Sequence, residues 1–363
     1  MTGEQMPLLE TKLPAVPAAP FTGSISQGGG EDGKHLPQAI AHRGNKVAFP
    51  ENSMKAFESA VVVGANAIET DLHLSKDGEV VLSHDPSLKR CFGIDKKVAD
   101  CDWPYLSSLR TQAEPHVPLA RLSDLLKYLA QPDHPAVHPI WLLLDIKTDD
   151  DPLDLLPALL RTIESVPALP GRPWNERIVL GGWNENWITH ITNILPTYPV
   201  AYIGFSIIYA HRFLSESKYP NVNFNLLQQG LVGPVGGQFI KAIRRAERKL
   251  YVWTVNEEAW MEWSIKKGVD GVITDDPKRF KEVLARHSSL RSKESTRGGL
   301  VDVKRVGLGK TLKLYATAYI MQLLAMVFLL LWWRRLNNRG KIVRKKGTGE
   351  LGVVEGKVVP LTS

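Results

Sequence analysis

Seven polar residues stand at the ends of short apolar runs: His42, Arg43, Glu69, Asp71, His84, Asp145 and Lys147. Glu69 and Asp71 are two apart in "AIETDLHL", a spacing that sends both carboxylates to one face of a strand. Ala67, Ile68 and Leu72 around them put that strand in the interior rather than on a solvated acidic face. Two close carboxylates repel unless a cation or a proton lies between them, and oxygen-only ligands suit Mg²⁺ or Ca²⁺ rather than Zn²⁺. Asp145 and Lys147 repeat the spacing at the end of "WLLLDIK"; an interior lysine needs a carboxylate or an anionic substrate beside it. His42 and His84 bring two imidazoles to the same group of residues, and Arg43 has the fork geometry that grips phosphate through two parallel bonds. These residue types describe a site for metal-assisted phosphoryl transfer.

Alternating apolar runs and amphipathic segments must position them. Strands are expected at 38–41, 67–73, 140–146, 178–181, 200–203, 222–225, 250–254 and 271–274, with helices at 53–63, 153–165, 187–195, 237–248, 257–267 and 277–287. Eight strands with intervening helices favour a (β/α)8 TIM barrel over an open sheet. Each candidate site residue then lies at a strand end, where such barrels carry their chemistry. Lys76-Asp77-Gly78 forms a tight turn, and "EVVLSHD" returns His84-Asp85 to the mouth of the second strand. Gly44 lets the backbone turn close to a ligand, Pro50 stiffens the return, and Asn52 or Ser53 caps the next helix. Residues 85–139 exceed a normal crossover and form an excursion on the active-site face. His73, His116, His134, His138 and His190 lack matching partners and are read as structural or surface residues. "GLVGPVGG" from Gly230 to Gly237 fits no standard phosphate motif.

The net charge of +7 invites a nucleic-acid reading that its distribution removes. Residues 286–313 carry eight Lys/Arg against Glu294 and Asp302, and residues 334–363 eight against Glu350 and Glu355. The remainder is mildly acidic and needs no polyanion. Cys91 and Cys101 are too few for a disulfide framework. Residues 1–35, rich in Pro, Gly and Ser/Thr with no apolar core, read as a disordered segment without a signal peptide. Residues 36–287 form the barrel, 288–313 a basic linker, 314–333 a membrane anchor and 334–363 a basic tail. The anchor, "LYATAYIMQLLAMVFLLLWW", is twenty residues without a charge, about the length that crosses a ~30 Å hydrocarbon core. Tyr315, Tyr319, Trp332 and Trp333 flank it as interfacial aromatics do. Basic residues on both sides cancel the orientation preference, so a single span and a shallow interfacial insertion both fit.

"HRGNKVAFPENS", "ETDLHLSKDGEVVLSHD", "LDIK" and "YVWTVNE" occur here in the order found in glycerophosphodiester phosphodiesterases. The chain resembles that family from about Leu36 to His287. The resemblance implies a TIM barrel with a divalent metal held by Glu69, Asp71 and Asp145, where most members have Glu in place of Asp145. It implies further that His42 and His84 are the acid/base pair, and that Arg43 and Lys147 bind phosphate. Glu51 and Asn52 support the first loop, Glu51 through Arg43, while Trp253 walls the glycerol side or packs the core. The barrel followed by a hydrophobic segment and basic tail resembles the fungal phospholipases C specific for phosphatidylglycerol. An intact anionic lipid, phosphatidylglycerol, cut to diacylglycerol and glycerol 3-phosphate, is therefore the expected substrate. A soluble deacylated glycerophosphodiester is the alternative, and an inactive lipid-binding barrel is the reading of another class. The catalytic domain is expected in the cytosol, tethered to endoplasmic reticulum, lipid droplet or mitochondrial outer membrane.

Overall fold

Eight parallel strands close into a ring in the computed structural model, which describes residues 15–27, 34–217, 219–297 and Ala316. In chain order the strands are β1 Ile25–Gln27, β2 Lys34–Leu36, β3 Gln38–His42, β4 Ala67–Leu74, β5 Val80–Leu82 and β6 Trp141–Ile146. β7 Ile178–Gly182, β8 Val200–Gly204, β9 Asn223–Leu227, β10 Leu250–Trp253 and β11 Gly271–Thr274 follow. The ring runs β3-β4-β6-β7-β8-β9-β10-β11 and closes where β11 pairs with β3; β5 hangs antiparallel on β4. This is the expected TIM barrel, and its eight strands fall within a residue or two of their expected bounds. Their near-continuous apolar runs suit strands covered on both faces.

Alternate residues serve two layers. Ile40, Ala67, Trp141, Leu143, Val179, Ala201, Tyr251 and Ile273 fill the barrel interior. Ile68, Leu72, Leu142 and Leu144 pack outward with helix residues such as Phe57. The excursion carries short helices Lys89–Phe92, Trp103–Ser108 and Leu122–Leu129. Val81, Leu88, Val98, Cys101, Leu106, Leu109 and Leu119 give it a core of its own.

Three expectations need correcting. Residues 15–27, read as disordered, close the base of the barrel. Ala19 joins the interior cluster, Phe21 meets the Trp141 ring edge-on at 6.0 Å, and Gln38 donates to the carbonyls of Phe21 and Gly23. The pairing of β1 with β2 then ties the segment to the first barrel strand. Helix Ile207–Ser215 was not anticipated; Ser206 caps it by accepting the Tyr209 amide, and Ala210 and Phe213 bury its inner face. The last helix, Pro277–Arg297, runs past 287 into the stretch read as linker. Residues 298–313, the anchor at 314–333 (Ala316 apart) and the tail at 334–363 lie outside the described residues. Among the described residues no helix is long and apolar enough to cross a membrane.

Arg177, fully buried, binds the approach to β6. Its guanidinium donates to the carbonyls of Leu129, Val137 and Ile140 at 2.9–3.1 Å. Burial pushes its pKa down to about 10. Arg177→Met removes every one of these donors and orphans buried carbonyls. The expected loss is about 3–5 kcal/mol, read as a lower denaturation midpoint at unchanged m-value.

Candidate active site

Strand parity brings the site together. His42 pairs with Glu69 across β3 and β4, and Asp71 with Asp145 across β4 and β6. Each is in phase with an interior residue of its own strand: Ile40, Ala67 and Leu143. The carboxylates of Glu69, Asp71 and Asp145 are buried, and one oxygen from each lies within 4.8 Å of the others. Lys147 bridges two of them, its Nζ 2.7 Å from Asp71 Oδ1 and 2.6 Å from Asp145 Oδ2. Trp183 Nε1 donates to the other Asp145 oxygen at 2.7 Å, and the Lys147 ammonium lies 5.5 Å from the Trp183 ring centre.

Arg43 begins the loop after β3. Its main-chain N–H donates to the Glu69 carboxylate at 3.0 Å, and its Nε lies 3.1 Å from Asp71 Oδ2. Its Nη1 donates to Glu51 Oε1 at 2.9 Å, as expected of that pair. Arg43 and Asn52 both have positive φ, and Gly44 follows at φ +86. A Cβ on Gly44 would lie 2.7 Å from Ala56, so the loop and the following helix meet too closely for any other residue. Asn52 accepts from Thr70 and donates to Asp71 Oδ2 at 2.9 Å, while Ser53 caps helix Met54–Val62.

Charge is unevenly compensated here. Asp71 sits below the usual carboxylate range: burial would raise it, but Lys147 and Arg43 overcome that. The same carboxylates hold Lys147 above its ordinary value despite burial. Glu69 goes the other way, raised well above 4.5 by burial and then by the charges of Asp71 and Asp145. Three buried carboxylates thus face two side-chain cations, Arg43 and Lys147. A divalent ion suits the deficit at Glu69, and the all-oxygen set suits Mg²⁺ or Ca²⁺.

Each histidine leans on a carboxylate. His42 Nδ1 is 2.6 Å from Asp275 Oδ1, and His84 Nδ1 is 2.6 Å from Asp85 Oδ1. A carboxylate only accepts, so each Nδ1 carries the proton and each Nε2 is the nitrogen available for chemistry. Burial lowers the His42 pKa by more than its Asp275 bond raises it. Asp275 itself is held down to about 2, against its own burial, by His42 and Lys46.

Asp275, with Lys46 Nζ at 3.2 Å and Asn256 Nδ2 at 2.9 Å, is not among the residues that the sequence singles out. Its neighbour Asp276 starts the last helix by accepting the Arg279 amide. The available signal was the position of Asp275 directly after β11. Trp183 was also missed, although it follows β7 directly. His73, read as structural, is buried with Nδ1 2.8 Å from Asp150 Oδ2 and Nε2 3.4 Å from the His84 carbonyl. It therefore braces the His84 loop. Trp253 is half-buried: its Nε1 donates to the Asn225 carbonyl and its ring meets Trp183 at 5.9 Å, so it packs against the site's own wall.

Residues 42–279 match the model of the glycerophosphoryl diester phosphodiesterase family. A glycerophosphodiester phosphodiesterase of Caldanaerobacter subterraneus is 26% identical over 255 residues, 66% of this chain and 93% of the relative. A lysophospholipase D of Rattus norvegicus is 26% identical over 302 residues, 70% of this chain and 88% of the relative. Among solved structures, an Oleispira antarctica phosphodiesterase in complex with the product sn-glycerol-3-phosphate superposes with a TM-score of 0.59 at 20% identity. It covers 69% of this chain and 97% of that one. A Parabacteroides distasonis glycerophosphodiester phosphodiesterase gives 0.58 at 22%, covering 70% of this chain and 100% of that one.

Proposed function

This chain belongs to the glycerophosphoryl diester phosphodiesterase family and is a phosphoric diester hydrolase, and from that premise we propose that it cleaves a glycerophospholipid within a bilayer, phosphatidylglycerol, to diacylglycerol and glycerol 3-phosphate. The rim of the barrel carries this reading. Val47, Leu153, Ile208 and Val235 are 60–81% exposed. Val47 lies in the loop after β3, and the other three are the second residues of helices Pro152–Glu164, Ile207–Ser215 and Pro234–Arg245. A helix that follows a parallel barrel strand starts at the strand's carboxyl end, so all four surround the mouth that holds the site. Single exposed apolar residues are ordinary; four at the rim of one mouth suit contact with lipid. The uncharged run at 314–333 supports the same reading, as does a relative named for a lysophospholipase activity.

Glu69, Asp71 and Asp145 would hold the divalent cation, which polarises the phosphoryl oxygens when bound. Arg43 and Lys147 grip the remaining phosphate oxygens. One histidine takes a proton at Nε2 from the attacking hydroxyl, and the other gives one from Nε2 to the departing diacylglycerol oxygen. A free 2-hydroxyl on the headgroup supplies the attacking oxygen and forms a cyclic glycerol phosphate as the diacylglycerol oxygen leaves; water, with the two histidine roles exchanged, then opens that ring to glycerol 3-phosphate, which is why phosphatidylglycerol fits better than a blocked headgroup. The barrel works from the cytosolic face, tethered by its C-terminal segment to endoplasmic reticulum, lipid droplet or mitochondrial outer membrane.

Purified protein incubated with a lipid panel and with soluble glycerophosphodiesters, with and without chelator, tests the substrate. Diacylglycerol release from phosphatidylglycerol is expected, and turnover confined to deacylated diesters would replace this reading with the soluble one. Deleting residues 314–363 is expected to free the enzyme from membranes while sparing hydrolysis of detergent-dispersed lipid. Its activity on intact vesicles is expected to fall about 10–100-fold through lost effective concentration. A truncated chain that stays in the carbonate-washed pellet places the tether elsewhere.

A further inference from the structure

We propose that Arg90, in the first helix of the excursion, is a positioning residue that sets the candidate phosphate-binding arginine and one candidate acid/base histidine in mutual register. Its Nη2 lies 2.7 Å from Glu51 Oε1, the same oxygen that accepts from Arg43 Nη1 at 2.9 Å. Its Nε lies 2.6 Å from Asp85 Oδ2, and the other oxygen of that carboxylate is 2.6 Å from His84 Nδ1. One guanidinium thus joins Arg43–Glu51 to Asp85–His84. Only Arg has the rigid fork to address two separate carboxylates in this way. Neither carboxylate has another side-chain cation as close from the excursion, and without Arg90 each can turn away from its partner.

The arrangement gives the excursion a task. Arg90 lies in Lys89–Phe92, a four-residue helix too short to be stable alone. The excursion's own core holds that helix through Leu88, with Phe92 packed against it. From there the guanidinium reaches back across the mouth to loops that leave β3 and β5. The contact acts through other residues, since Arg90 itself touches no candidate metal ligand.

The inference rests on the roles assigned to Arg43 and His84, and on no choice between lipid and soluble substrate. The test uses the full-length protein with a glycerophosphodiester substrate and saturating divalent ion, comparing Arg90→Ala, Arg90→Lys and His84→Ala. Arg90→Ala is expected to lower kcat about 10–100-fold with a smaller change in KM, as a misplaced acid/base group does. Arg90→Lys is expected to recover little. The Arg90 side chain is 48% exposed, in an open cleft lined by Lys46, Val47, Glu51, Cys91 and Glu114. Added ethylguanidinium is therefore expected to restore kcat of Arg90→Ala several-fold, whereas ethylammonium is not, and the melting temperature is expected to stay near wild type. Wild-type kcat in Arg90→Ala overturns the proposal, as does a loss that tracks a lowered melting temperature and resists guanidinium. If His84→Ala itself leaves kcat unchanged, the underlying role assignment fails; if its loss is severe while Arg90→Ala keeps the wild-type kcat, only this inference fails.

Discussion

Glu69→Gln is expected to abolish divalent-cation binding and phosphodiester turnover together while leaving the barrel folded. Losing a Lewis acid that stabilises the transition state by several kcal/mol, about 4, corresponds to roughly a thousand-fold in kcat. Calorimetric titration with Mg²⁺ and Ca²⁺ reads the first loss and phosphate-ester release the second. Chelator-sensitive turnover at the wild-type rate removes Glu69 from the ligand set. The metal-free protein offers an independent check. Its Glu69 carboxyl is raised well above 4.5, first by burial and then by Asp71 and Asp145. A raised acid stabilises the fold fully below its unfolded pKa and loses that contribution as pH climbs through the folded value. Thermal melts in chelator should therefore show wild type losing stability relative to Glu69→Gln from pH 4.5 toward neutrality. Gln, which mimics the neutral carboxyl, should flatten that trend and melt no lower than wild type at pH 7.

The parity of β4 and β6 explains why so much of the site is legible in one chain. Glu69 with Asp71, and Asp145 with Lys147, need only a two-residue spacing on a buried strand to share a face. The structure brings these four together with His42 and Arg43 at one end of the barrel. The partners that orient the histidines are harder to read. Asp275 lies 233 residues from His42 in sequence, and only closure of β11 onto β3 makes them neighbours. A carboxylate before Pro277 also looks like an ordinary helix cap, and its neighbour Asp276 is one. Arg90 is hidden for a different reason: its two carboxylates come from separate loops, and no periodicity links them.

Composition misleads at the amino end. The Pro- and Gly-rich stretch before β3 lacks the density of apolar residues that marks a core. Yet Ala19 and Thr22 are buried, because the open base of an eight-stranded barrel needs only a few side chains to fill it, and Val16 joins the outer core between strands and helices. Helix Ile207–Ser215 escapes notice because two adjacent β-branched residues open it and weaken its local preference. Ser206 and the buried Phe213 decide the matter through capping and packing.

Removing either histidine is expected to have the second large effect. His42→Ala and His84→Ala should each cut kcat about 10²–10⁴-fold, the range for general acid–base groups, with the divalent ion still bound. A mild loss from one excludes that ring from proton transfer. The pH profile separates chemistry from scaffolding. Burial keeps His42 below 6.5 even against the pull of Asp275, so its neutral form persists on the acid side of the usual histidine range. If His42 is the base, the acid limb of kcat/KM lies below pH 6.5. Asp275→Asn removes the bond and the charge that raise the His42 pKa, so the limb should move to still lower pH. The same change frees the ring from the tautomer that exposes Nε2, so the plateau should fall, by about 10²-fold on the scale of acid–base catalysis. An Asp275 that merely braced the loop after β11 would lower the plateau and leave the limb in place. A limb that moves to higher pH in Asp275→Asn would contradict the assigned contact between the two residues.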